Sequence, residues 1–137
     1  MKLYKLKIIV VFLLIVTVIS VMYAAYSQPK LLEYSEKVET YFIKDGSDCV
    51  IKTVKRGETA FLKKGESCEI SLSAEEILKN LDVVVRRIEI TNGIVSYYGY
   101  TKKFNYSVNL YGEIINVHIA AGNGVVRLGT PIIYGSY

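Results

Sequence analysis

Lys2, Lys5 and Lys7 precede an apolar run from Ile8 to Met22 that only Thr17 and Ser20 relieve, and no charged residue follows until Lys30. A helix packed on a water-facing domain needs one polar side, and this run has none. Basic residues ahead of an uncharged apolar segment are what export machinery reads, with the lysines retained inside. The chain beyond the run is therefore expected to fold on the extracytoplasmic side of a membrane.

Two readings of this leader compete. Ile8–Met22 has the length of a signal-peptide core, and small residues at Ala25 and Ser27 would suit a peptidase cutting after Ser27. Counted through Ala25 the run reaches 18 residues, the lower limit for a spanning helix. The first reading releases the domain, whereas the second tethers it through residues 8–25. No cysteine follows the run closely, so a lipoprotein anchor is excluded. The expected division is a leader over 1–27 and one extracytoplasmic domain over 28–137.

The leader also distorts the charge. The whole chain is formally +4, but three of its 17 basic residues lie in the leader, which leaves 14 against 13 acidic ones. Lys55-Arg56, Lys63-Lys64, Arg86-Arg87 and Lys102-Lys103 are scattered doublets beside expected turns, and they read as solvated loops. A nucleic-acid partner calls for a concentrated basic face, so none is expected.

Along the domain, Leu31, Tyr34, Val38 and Tyr41/Phe42 approximate helical spacing after Pro29, although Tyr41-Phe42-Ile43 also suits the start of a strand. Glycine turns at 44–47, 55–58 and 63–66 separate the short apolar segments Cys49–Val54, Thr59–Leu62 and Cys68–Leu72, the pattern of an antiparallel meander. Ser73 and Glu76 form a capping-box pair, with Ala74, Ile77, Leu78 and Leu81 on one face of the short helix that follows. Asn92-Gly93 suits a two-residue hairpin turn after Ile88 and Ile90. Ile94–Tyr100, Phe104–Leu110, Ile114–Ala121 and Val125–Leu128 then read as a four-stranded meander, with turns at Tyr111-Gly112 and Gly122-Asn123-Gly124. Pro131 lacks an amide donor and makes the tail an edge or a closing segment. The fold class expected is α+β: a hydrophobic N-terminal helix, then an antiparallel sheet with one or two short helices packed on it.

Ile115-Asn116-Val117-His118-Ile119-Ala120, Leu128-Gly129-Thr130-Pro131-Ile132-Ile133 and Tyr137 resemble the end of the YwmB-like exported proteins of Gram-positive spore-formers, with Tyr98-Gly99-Tyr100 as an aromatic segment. The resemblance covers about the last 50 residues. It implies a fold similar to the TATA-box-binding protein, a curved antiparallel sheet backed by helices. It implies no catalytic residues, and DNA binding does not follow from a shared fold.

Few residues invite chemistry. Cys49 and Cys68 each open an apolar phase, and outside the cytoplasm two such thiols can oxidise if their Cα atoms come within about 7 Å. A structural disulfide, two free thiols, and a redox or metal role are the three readings. The 18 intervening residues match neither a CxxC motif nor a zinc knuckle, and one histidine cannot complete a metal site, so no metal or cofactor is expected. His118 alternates opposite Ile115, Val117 and Ile119, and should point at solvent or a helix. No serine or aspartate is spaced to complete a triad with it. Tyr97, Tyr98, Tyr100 and Tyr106 are either cross-strand packing or an aromatic platform for glycan or peptide. Gly122-Asn123-Gly124 lacks the helix and lysine of a phosphate loop, and Glu75-Glu76 suits a helix start.

The function expected is a non-enzymatic, membrane-anchored or exported domain that binds a protein or envelope component through its sheet. The alternatives are a small envelope hydrolase or transferase using Glu89, Asp82 and Glu113, or an accessory subunit of a membrane complex.

Overall fold

In a computed structural model, which describes residues 2–44, 48–61 and 63–134, helix α1 (Lys2–Ala25) stands free of the rest of the chain. Leu3–Tyr23 is long and apolar enough to cross a membrane, and none of it is buried against the protein. At 1.5 Å per residue, α1 is about 36 Å long. Its hydroxyls are satisfied internally: Thr17 Oγ1 donates to the Leu14 carbonyl and Ser20 Oγ to that of Val16, each at 2.8 Å. The helix thus offers no side chain that requires water along its apolar stretch.

The chain leaves α1 directly into a short strand, β1 (Tyr26–Ser27), then a 3-10 turn (Lys30–Glu33), and then β2 (Lys37–Lys44) and β3 (Asp48–Lys55). The helix expected after Pro29 is therefore replaced by one tight turn and a strand. Val38 faces the core beside Leu31 and Leu32, while Tyr41 lies on the opposite face of the sheet under Tyr134. A strand sends residues of opposite parity to opposite faces, and Val, Thr, Tyr, Phe and Ile at 38–43 favour it. The turn at 45–47 lies outside the described residues.

Next come β4 (Ala60–Phe61), β5 (Gly65–Ile70), helix α2 (Ala74–Asn80), β6 (Val84–Thr91) and β7 (Ile94–Tyr100). The capping box forms as expected: Ser73 Oγ accepts from the Glu76 amide while Glu76 accepts from the Ser73 amide. Ala74, Ile77 and Leu81 are buried on the core side of α2. Asn92 and Gly93 both take positive φ, 51° and 80°, as the hairpin turn requires. Strands β8 (Val108–Leu110), β9 (Glu113–Ile115), β10 (Val117–Gly122) and β11 (Val125–Thr130) complete the chain.

The main sheet has seven antiparallel strands in the order β3-β2-β5-β11-β10-β7-β6. The architecture is α+β, but the connectivity differs from two successive meanders. Strand β4 pairs with β1 instead of joining the sheet, and β5 pairs with both β2 and β11. The expected strand 104–110 is an excursion, because β7 pairs with β10 directly and β8 with β9 apart from the main sheet. Asn116 explains the break. Its buried Nδ2 donates to the carbonyls of Thr101 (2.6 Å) and Phe104 (3.0 Å), and its Oδ1 accepts from the Thr101 amide (2.7 Å). One amide side chain closes both ends of the excursion and interrupts the alternation between Ile115 and Val117.

The 3-10 turn and α2 cover one face of the sheet over Val38, Cys68, Val117, Ile119 and Leu128. The tail crosses the other face. There the Ile133 amide donates to His118 Nδ1 at 3.1 Å, and Tyr134 meets Tyr41 edge to face with centroids 4.9 Å apart. Gly129 permits this crossing, since a Cβ there would lie 2.6 Å from Ile133 Cγ1 and 3.0 Å from the Ile133 nitrogen.

Candidate functional site

A buried polar cluster lies where α1 enters the domain. Lys63 Nζ donates to the Ser27 hydroxyl at 2.5 Å and to the Ser27 carbonyl at 3.3 Å, and lies 3.8 Å from Glu66 Oε1. Glu66 Oε2 accepts from the Leu31 amide at 2.9 Å. Lys63 is 7% exposed and Glu66 is fully buried. The pair therefore grips the chain at Ser27 and at Leu31, while β1 pairs Tyr26 with Phe61 and Ser27 with Ala60. A cavity of about 340 Å³ opens beside it, lined by Lys30, Phe104, Tyr106 and Thr130 among others.

Burial governs the electrostatics here. It pushes the Lys63 ammonium down, against the attraction of Glu66. It pushes the Glu66 carboxyl up, opposed by the amides of Leu31 and Lys30 and then by Lys63. Tyr106 rises to about 12, through burial and then the Glu66 charge. Two buried charges are costly unless paired and hydrogen-bonded; Glu66 Oε2 is held by the Leu31 amide, while its buried Oε1 has only the Lys63 ammonium, at 3.8 Å.

Sequence reasoning read Lys63-Lys64-Gly65-Glu66 as a solvated turn and missed this pair. A signal was present: Glu66 shares the strand phase of Cys68 and Ile70, so an alternating strand carries it to the core side.

The four tyrosines are dispersed. Tyr97 packs against the hydrophobic core and Tyr98 lies on the opposite face, stacked on His118 with centroids 4.3 Å apart. Tyr100 is exposed at the end of β7, and Tyr106 lines the cavity beside Lys63. Tyr97 and Tyr98 thus do not share one platform. Tyr98 borders two adjoining clefts of about 320 and 350 Å³ on its sheet face, which share Ile94 and Asn123. Ser96, Ala120 and Gly122 keep the floor of this area low, and Glu69, Arg127 and Glu89 rim it.

His118 is 2% exposed, facing neither solvent nor a helix, because the tail closes over it. Burial pushes its pKa down to about 4. Its Nδ1 accepts the Ile133 amide, so the neutral ring carries its proton on Nε2.

The disulfide is overturned. Cys49 and Cys68 are both free, one exposed and one buried. Cys49 pairs with Ile43, whereas Cys68 falls beside position 38 on the far side of β2. Two strand spacings and five residues of offset separate their Cα atoms by roughly 18 Å, far beyond disulfide reach. Burial pushes the Cys68 thiol up to about 12, which disfavours redox or metal chemistry there.

The three carboxylates are also apart. Glu89 accepts from Arg87 at 2.6 Å, Asp82 sits at a positive-φ position after α2, and Glu113 is exposed on β9. Among the described residues, no three His, Cys, Asp or Glu side chains group to hold a metal. No protein-family model, curated protein or solved structure matches this chain.

Proposed function

We propose that this protein is a membrane-anchored, extracytoplasmic module without enzymatic activity, which binds a protein or envelope component through its sheet. The carrying observation is the grip of Lys63 on Ser27. The two residues that follow α1 form a strand of the fold, and the second of them, Ser27, takes hydrogen bonds from a buried side chain. A peptidase cut after Ser27 would detach that strand, so this arrangement favours a retained anchor. The anchor then holds the domain in a set orientation and not on a loose tether.

The binding surface proposed is the pair of clefts on the sheet face between Tyr98 and Arg127. Its small-residue floor and mixed-sign rim suit an extended polypeptide or glycan strand more than an enclosed small molecule. Membership of the YwmB-like family is part of the same proposal, supported by the Leu128-Gly129-Thr130-Pro131 segment.

N-terminal sequencing of protein isolated from the membrane fraction tests the anchor: an intact leader supports it, and a new N-terminus at Gln28 overturns it. Crosslinking from a photoreactive residue at Ile94, which lines both clefts, tests the surface in intact cells. A discrete adduct absent with the probe at Glu75 on α2 supports it, and identical patterns from both positions overturn it.

A further inference from the structure

Strand β6 is an outer strand of the main sheet, and among the described residues no strand pairs with its free edge. Natural sheets blunt such edges, because free amides and carbonyls beside apolar side chains recruit another strand. Here Val84 is 54% exposed, Ile88 55% and Ile90 74%. Ile88 and Ile90 lie on the core side of the sheet, opposite Tyr97 and Val95, where α2 does not reach them.

The strand is also self-complementary. Closed pairing of identical edges requires a two-fold axis, which sets residues symmetrically about its centre. Centred on Arg87 or on Glu89, that axis opposes like charges. Centred on Ile88, it opposes Ile88 to its own copy and Arg87 to Glu89 of the second copy, twice. Arg87 is already positioned by Glu89 at 2.6 Å and by the Tyr111 ring at 4.2 Å. Two copies would join these charges into one alternating group on one face and pack the two Ile88 side chains together on the other, with Ile90 opposite Arg86 of the second copy.

We propose that two copies of this chain pair through their β6 edges, antiparallel about a two-fold axis at Ile88, so that the main sheet continues across the interface. The bulge between Val85 and Arg87 keeps the ladder short, so apolar contact supplies much of the affinity. A mixed-charge edge selects a like partner over an arbitrary strand.

The test uses the full-length chain in membranes with Cys49→Ser, leaving buried Cys68 in place. Ile88→Cys is compared with Thr53→Cys on the opposite outer strand under mild oxidation. Directly opposed positions bring their Cβ atoms to about 5 Å, so Ile88→Cys should give a disulfide-linked dimer and Thr53→Cys should not. Adding Arg87→Glu should lower the linking about tenfold, since both cross-strand pairs become repulsive, and Glu89→Arg on top should restore it. The proposal is overturned if Ile88→Cys links no better than Thr53→Cys. Failure of the double charge reversal to restore linking in a protein with unchanged melting temperature also overturns it. Linking that vanishes when α1 is exchanged for an unrelated anchor would assign the contact to the helix instead. Protection of Ile88→Cys from a water-soluble thiol reagent without any linking would assign this edge to the lipid surface.

Discussion

Lys63 donates to Ser27 across 36 residues of sequence, and this contact joins the exit of α1 to the turn that opens β5. Glu66 completes the arrangement by accepting the Leu31 amide, so one buried ion pair fastens both ends of the Gln28–Lys30 segment.

Removing one member leaves the other charged and buried. Lys63→Met should destabilise the protein by about 3 kcal/mol. Lys63→Met with Glu66→Gln, which keeps an acceptor for the Leu31 amide, should recover most of that loss. Thermal and denaturant unfolding of the full chain in detergent measures both. Equal losses in the single and double variants would show that the pair is not coupled.

Stability should fall in mild acid through His118. Its pKa drops from 6.5 unfolded to about 4 folded, so the unfolded chain binds the proton first as pH decreases. The contribution is complete above pH 6.5 and is lost as pH falls towards 4, about 3 kcal/mol in all. His118→Gln should flatten the denaturant midpoint across that window relative to the parent. Glu66, with a raised pKa, acts with the opposite sign by favouring the fold in acid. The difference between parent and variant isolates the histidine.

Thiol reactivity should split in two. An alkylating reagent should modify Cys49 alone in the native protein and reach Cys68 only after unfolding, with the same stoichiometry with or without reductant. Mass spectrometry reads the count directly, and a reductant-dependent thiol would contradict the separation of the two strands.

Asn116→Ala should cost about 3 kcal/mol or more, because it orphans the Thr101 amide and two buried carbonyls. Amide exchange at Thr101 should accelerate ahead of exchange in β10, since the excursion opens before the sheet does.

Ser73→Ala should cost about 1 kcal/mol by removing the N-cap of α2. Far-ultraviolet dichroism on unfolding, compared with Glu75→Ala outside the reciprocal pair, measures it.

The sequence by itself determined what depends on neighbours along the chain. The free apolar helix, the capping box of Ser73 and Glu76, the Asn92-Gly93 turn and the alternation of β7, β10 and β11 are set by local propensity and periodicity, which act within a few residues. The α+β class follows from them. Tertiary structure decided which strands meet and which side chains are buried. The place of β5 in the sheet set Glu66 against the α1 exit, and its pairing with β2 put two strand spacings between Cys49 and Cys68. The tail buried a histidine that alternation alone had turned outward. Strand pairing at long range is chosen by the shape of the whole core, where a charge survives only if a distant partner such as Ser27, Leu31 or Lys63 arrives to meet it.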